Sequence, residues 1–133
     1  MNTLTYLLEK YPNKDWNWYR ISSNPNITMD IIEKYPDKPW SWYYISKNPN
    51  ITMDIIENNP DKPWDWDGIS QNPNITMEII EKYINKINFE WLSANKFTYQ
   101  NKLNKINKGI LALENTKNRL PKDVNMYIIN HYL

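Results

Sequence analysis

The chain has 133 residues, a formal net charge of +1, no cysteine and only two glycines. The length suits a single domain, and the lack of cysteine excludes a disulfide framework and thiolate chemistry. No apolar run approaches the ~20 residues of a membrane span, and the first residues lack the pattern of a secretory signal. We therefore expect an intracellular protein without a membrane partner.

In chain order, the first predicted element is a half unit over residues 1–10. The segment NTLTYLLEKY, which begins at Asn2, aligns with the later segment NITMDIIEKY, which begins at Asn26. Complete units follow and align without gaps at a period of 24 residues, which predicts a repeat architecture. These three units are residues 11–34, 35–58 and 59–82.

The first half of each unit predicts a short helix that ends at an Asn-Pro-Asn turn. Pro39 and Pro63 are expected in the first turn of this helix, where a missing N–H is tolerated. The residue before the proline of the turn is pushed out of the helical region, so the helix ends there. The turn is only about four residues long, which predicts that consecutive helices are antiparallel neighbours.

The second half of each unit predicts an amphipathic helix with explicit start signals. Thr28, Thr52 and Thr76 occupy the N-cap position, where a hydroxyl accepts a hydrogen bond from a free backbone N–H. Ile27 and Ile32 form a hydrophobic staple around the first of these caps, and the other units repeat it. The same signals make strands, as in leucine-rich repeats of similar period, a poor interpretation.

The remaining chain looks like the same repeat in degenerate form. Residues 83–122 contain NFEWLSANKFTYQ (88–100), a decayed copy with shortened turns. Residues 123–133 form a C-terminal half unit, because DVNMYIINHY overlays the same ten residues as the first half unit. Since two-turn helices are unstable alone in water, the units must stack. We predict one all-α domain over residues 1–133, an α-solenoid of short antiparallel helix pairs.

Two tryptophans recur in every complete unit, two residues apart. On a helix such side chains point in nearly opposite directions, which predicts a helix sandwiched between neighbouring units. A stacking platform for nucleic-acid bases is the alternative. Identity at both positions in all three units favours packing. The two rows are Trp16, Trp40 and Trp64, and Trp18, Trp42 and Trp66.

Positions that differ between otherwise identical units are expected on the surface, where repeat proteins carry their recognition residues. Their residue types match those that anchor protein interfaces. Unselected surface drift is the alternative explanation. The candidate partner-binding residues are Tyr19, Arg20, Tyr43, Tyr44, Lys47, Asp65 and Asp67.

Charge is unevenly spread along the chain. Residues 1–81 carry 7 basic and 12 acidic side chains, whereas residues 82–122 carry 9 basic and 2 acidic ones. A basic segment suits a phosphate backbone, although a solvated lysine face is the simpler explanation because arginine is scarce. The candidate nucleic-acid-binding residues are Lys96, Lys102, Lys105 and Lys108.

No pattern in the chain predicts catalysis, a metal site or a cofactor. His131 is the only histidine and lacks the neighbours of a catalytic triad or a second metal ligand. Asp61, Asp65 and Asp67 lack the glycine and bidentate Glu of a calcium loop, and no glycine-rich phosphate loop occurs. We therefore expect a non-catalytic protein.

The units SNPNITMDIIEKYPDKPWSW and KNPNITMDIIENNPDKPWDWDGIS resemble the tandem repeats of proteins from giant amoeba-infecting DNA viruses of the mimivirus kind. The resemblance is specific for residues 11–82 and loose elsewhere. It implies a viral protein made in the host cytoplasm, with packaging in the virion as an option. No activity or binding residue follows from it.

The leading expectation is a scaffold that binds a host or viral protein through the varying first-helix positions. The first alternative is a nucleic-acid-binding protein that uses residues 82–122. The second alternative is a structural virion component that associates with itself.

Overall fold

The computed structural model describes residues 2–115, and every regular element in this range is an α-helix. The all-α prediction is therefore confirmed for the described residues. The predicted half unit 123–133, with His131, lies outside them. The helices are α1 (Thr3–Lys10), α2 (Trp18–Ser22), α3 (Met29–Lys34), α4 (Trp42–Lys47), α5 (Met53–Asn58), α6 (Trp66–Gln71), α7 (Met77–Lys82), α8 (Phe89–Leu92) and α9 (Thr98–Asn115).

The second helix of each complete unit begins where its capping threonine predicts. Thr28, Thr52 and Thr76 are the N-caps of α3, α5 and α7. The hydroxyls of Thr52 and Thr76 accept hydrogen bonds from the backbone N–H of Ile55 and Ile79, both at 3.3 Å. Thr28 makes no such bond, so its helix start depends on packing rather than on the cap.

The first helix of each unit begins later than predicted, at the second tryptophan: Trp18, Trp42 or Trp66. Pro39 and Pro63 lie in an extended lead-in before the helix, so their predicted placement in the first turn was wrong. The Asn, Ser or Asp before the second tryptophan is the N-cap instead. These polar residues are better caps than the residues in front of the prolines.

Isoleucine fills the centre of the molecule. It occupies the first helix, the turn and the second helix of each unit, so each unit adds a layer to one continuous core. Burying one such side chain contributes roughly 1.5–3 kcal/mol. Among the described residues, the isoleucines with no exposed surface are Ile27, Ile45, Ile51, Ile69 and Ile75.

Helices one repeat apart are neighbours. In the row of first helices, α4 packs between α2 and α6, and α6 also packs against α8. In the row of second helices, Glu9 of α1 pairs with Lys34 of α3, and Glu57 of α5 pairs with Lys82 of α7. The units therefore follow one another in space in their chain order.

Asparagine side chains join the Asn-Pro-Asn turns of neighbouring units into a ladder. Asn72 has no exposed surface, and its Nδ2 donates to three backbone carbonyls of the preceding unit at 2.8 to 3.2 Å. Asn48 donates to the carbonyl of Asn24 at 3.1 Å, and Asn95 donates to the carbonyls of Ser70 and Asn72 at 2.9 Å. These residues do more than end a helix, because each one binds the turn before it.

A second set of hydrogen bonds connects the row of first helices. The hydroxyls of Ser22, Ser46 and Ser70 are fully buried. Each accepts the backbone N–H of the N-cap residue of the next unit, at 2.8, 2.9 and 3.0 Å. A serine at this position therefore sets the distance between one first helix and the next.

The degenerate segment 83–122 follows the pattern only at its start. Helix α8 takes the place of a first helix, and Asn95 takes the place of Asn72 in the asparagine ladder. Helix α9 then continues for 18 residues, three times the length of α7, instead of forming further short helices. Its Gln100 side chain accepts the backbone N–H of Met77 at 2.9 Å and so attaches α9 to the start of α7.

Candidate protein-binding face

The tryptophans pack between units and are half-buried. Trp18 meets Trp40 edge to face at 4.9 Å between ring centroids, and Trp42 meets Trp64 in the same way at 5.2 Å. The predicted packing role is confirmed, although Trp40 precedes its helix rather than lying on it. In the row that precedes the helices, each indole N–H donates to a loop carbonyl five residues earlier, at 2.7 or 2.8 Å.

Four of the seven candidate partner-binding residues come together on the edge of α2 and α4. We call Tyr19, Tyr43, Tyr44, Lys47 and Gln71 the tyrosine cluster. The rings of Tyr19 and Tyr44 stand 4.8 Å apart, and those of Tyr43 and Tyr44 stand 5.1 Å apart, all edge to face. Lys47 Nζ lies 5.3 and 5.5 Å from the centroids of the Tyr43 and Tyr44 rings. Gln71, which was not among the candidates, donates to the Tyr43 hydroxyl at 2.9 Å.

The tyrosine cluster is both accessible and fixed in position. Tyr19 is 59% exposed, while Tyr43, Tyr44 and Lys47 are half-buried. The hydroxyls of Tyr19 and Tyr44 share a hydrogen bond of 3.0 Å. These contacts fix the rings before a partner binds. Binding to the cluster therefore costs little side-chain conformational entropy.

The other three candidates have different surroundings. Arg20 is exposed on α2. Asp65 is the N-cap of α6 and accepts the backbone N–H of Gly68 at 2.9 Å. Its carboxylate therefore caps the helix. Asp67 is exposed, and its Oδ1 accepts Asn88 Nδ2 at 2.8 Å.

One variable position is not on the surface. Gly68 is buried, and a Cβ there would stand 2.5 Å from the carbonyl oxygen of Tyr43 and 2.8 Å from Ser46 Cβ. Gly68 is therefore an exception to the expectation that varying positions lie on the surface. Helices α4 and α6 approach so closely that the position equivalent to Tyr44 has no room for a side chain.

The hydrogen bond between Tyr19 and Tyr44 raises the pKa of the Tyr44 phenol above its usual range. We expect Tyr19→Phe to bring this pKa back toward the ordinary value of about 10. A raised pKa in the folded state means that protonated Tyr44 stabilises the fold. This contribution of Tyr44 to the free energy of unfolding is complete below the pKa of the unfolded state and is lost as the pH rises through the pKa of the folded state. Titration of tyrosine ring carbons by NMR, in the wild type and in Tyr19→Phe, measures the change. An unchanged Tyr44 titration would contradict the shared bond.

The candidate lysines lie on and beside α9. Lys102, Lys105 and Lys108 are all exposed and follow one another at intervals of three residues, so they lie on one side of the helix. Lys96 is also exposed but lies in the turn before α9. Three of the four residues therefore form one basic stripe.

Residues 2–115 contain neither a cluster of metal-binding side chains nor a helix that could span a membrane. No three acidic or histidine side chains in this range lie close enough together to hold a metal ion, Asp61, Asp65 and Asp67 included. Within the same range, no helix has both the length and the apolar character of a membrane span.

Comparison with known proteins adds no relative. No protein-family model, curated protein or solved structure matches this chain. The interpretation of the tyrosine cluster and of the basic stripe therefore depends on their geometry.

Proposed function

We propose that the protein is a non-catalytic scaffold, an α-solenoid of antiparallel helix pairs that binds a protein partner through the tyrosine cluster. The stacking contacts at intervals of 24 or 25 residues support the solenoid. The observation that carries the function is the exposed tyrosine cluster itself. Following the resemblance of residues 11–82, we place the partner among host or viral proteins.

The chemistry of the tyrosine cluster favours a protein partner. Tyrosine offers a large rigid ring and one polar atom, and it is enriched among the residues that dominate binding energy. Positive charge lies at the edge of the tyrosine cluster. Lys47 lies beside the rings, and Arg20 follows Tyr19 on α2. Asp67 adds negative charge on the next helix of the row, so the rim has both signs and can orient a partner.

The test compares two exposed tyrosines of similar accessibility. Tyr19 belongs to the tyrosine cluster and is 59% exposed, whereas Tyr6 lies on α1 and is 48% exposed. We expect Tyr19→Ser to weaken partner binding roughly 30-fold or more, as loss of an anchoring residue does. Loss of its exposed contact with Tyr44 should lower the free energy of unfolding by no more than about 1.5 kcal/mol. Tyr6→Ser should change neither.

The measurement is affinity capture from nuclease-treated amoebal lysate with the wild type and both variants. Binding of each captured protein is then quantified with purified components. If Tyr19→Ser and the wild type bind the partner with equal affinity, the tyrosine cluster is not the recognition surface.

The basic stripe on α9 supports nucleic-acid binding as a second candidate function. Lysines bind phosphates without reading sequence, and such binding weakens steeply with salt. If this function is correct, the affinity for DNA or RNA falls by roughly 10-fold or more between 50 and 200 mM salt, as release of about two or three counterions requires. Exchange of Lys102, Lys105 and Lys108 for glutamine should remove most of that dependence. Salt-independent binding would contradict the proposal.

A further inference from the structure

Among residues 2–115, α8 is the last helix in the row of first helices, and no described residue makes the contacts that a further unit would make there. In α2, α4 and α6 a buried serine accepts an N–H of the next unit. The tryptophan at the start of α2 or α4 packs against the tryptophan that precedes the next first helix, and Trp66 at the start of α6 packs against Tyr83 at the end of α7. Helix α8 has the same two groups, Ser93 and Phe89.

Ser93 and Phe89 have the geometry of their counterparts in the earlier units, but both are exposed to solvent. The Ser93 hydroxyl donates to the Phe89 carbonyl at 2.6 Å, just as Ser70 donates to the Trp66 carbonyl at 2.6 Å. This leaves the Ser93 oxygen oriented to accept, but it is exposed, whereas Ser70 has no exposed surface. No donor among the described residues reaches it. Phe89 is 54% exposed, whereas Trp66 at the equivalent position is half-buried.

We propose that the open end of α8 is a docking site for a second polypeptide that carries the lead-in of this repeat. The lead-in is a tryptophan followed by a helix N-cap, as in Trp64-Asp65. Its indole would pack on Phe89, and the backbone N–H of its N-cap residue would donate to Ser93 Oγ. The site is continuous with the interface between units, because it uses the same two contacts in the same order.

The occupant is not a second copy of this chain in the register of the repeat. Helix α1 precedes α3 in the row of second helices, and α9 follows α7 in that row. If α2 of a second copy docked after α8, its α3 would follow α9, and its α1 would occupy the place that α9 already fills. Residues 116–133 contain no tryptophan and therefore lack this lead-in. The occupant is a different protein or peptide, with no helix in front of its lead-in.

The probe is a fluorescein-labelled peptide with the sequence of residues 59–72, NPDKPWDWDGISQN, titrated onto the full chain by fluorescence polarisation. We expect saturable binding that Phe89→Ala weakens about tenfold or more, because Phe89 supplies the aromatic contact. Tyr6→Ser, remote from α8, should bind as the wild type does. Circular dichroism checks that both variants are folded.

Changes in the peptide test the two contacts without altering the fold of the protein. Trp64→Ala in the peptide removes the indole, and Asp65→Pro removes the N–H that would reach Ser93 while leaving the indole. We expect each change to weaken binding about tenfold or more. Absence of saturable binding, or equal binding by all peptides or by Phe89→Ala, would overturn the docking site. Sedimentation that shows self-association lost in Phe89→Ala would overturn the choice of partner in favour of a second copy.

Discussion

Replacing Asn72 with aspartate is expected to lower the free energy of unfolding by about 4 kcal/mol. The amide nitrogen donates to the carbonyls of Ser46, Asn48 and Ile51, and none of this side chain is exposed. A carboxylate has nearly the same shape but no N–H when ionised. It would turn negative charge toward three buried carbonyl oxygens, each of which would lose the Asn72 amide as a donor. The carbonyls of Asn48 and Ile51 would keep other donors, the Ile51 N–H and Asn74 Nδ2.

Urea unfolding of the wild type and of Asn72→Asp measures the loss, and Asn24→Asp is the matched control. Both asparagines begin an Asn-Pro-Asn turn, and in both the side-chain oxygen accepts the N–H of the residue two positions on. Asn24 is only half-buried, and its amide nitrogen reaches no carbonyl among the described residues. Asn24→Asp should therefore cost less than about 1 kcal/mol. Equal losses in the two variants would show that the turn, and not the ladder, carries the stability.

The sequence predicted best those features that depend on neighbouring residues. The capping threonines and their isoleucines lie within one helical turn of each other, so their roles can be assigned without the rest of the fold. This is why the starts of α3, α5 and α7 were placed correctly. The first helices were placed too early because proline is compatible both with a first turn and with the extended lead-in observed at Pro39 and Pro63.

Features that depend on the distance between units could not be predicted in the same way. The asparagine ladder connects residues about 24 positions apart, and its donors look like ordinary turn residues in the sequence. Their identical placement in each unit was the available signal. The length of α9 was also missed, because the predicted decay of the repeat did not indicate that one helix would continue through residues 98–115.

The tyrosine cluster was predicted in part. Variation between units identified Tyr19, Tyr43, Tyr44 and Lys47, which the structure brings together. Their contacts cross between units, so the sequence alone could not show which residues touch. Variation at these positions also has a packing component, since Tyr44 contacts Tyr19 of the preceding unit while Gly68, at the equivalent position, lies against α4.

Gly68→Ala is expected to lower the free energy of unfolding by about 2 kcal/mol, although alanine is the better helix former. The added Cβ would stand 2.5 Å from the carbonyl oxygen of Tyr43, which is backbone and cannot rotate away. Helices α4 and α6 must then separate, which stretches the hydrogen bond between Ser46 Oγ and the Asp65 N–H. The tyrosine cluster spans the same pair of helices through Gln71 and Tyr43, so partner binding should weaken as well.

Gly109→Ala separates crowding from helix propensity, because it makes the same change in helix α9, where the new Cβ has nothing within 4 Å beyond its chain neighbours and the backbone of its own helix. Only the gain in propensity acts there, and we expect Gly109→Ala to raise the free energy of unfolding by up to about 1 kcal/mol. The two substitutions should therefore differ in sign in the same urea experiment. If Gly68→Ala is stabilising instead, α4 and α6 separate at little cost. The interface between units would then depend on the asparagine ladder and not on close contact between these helices.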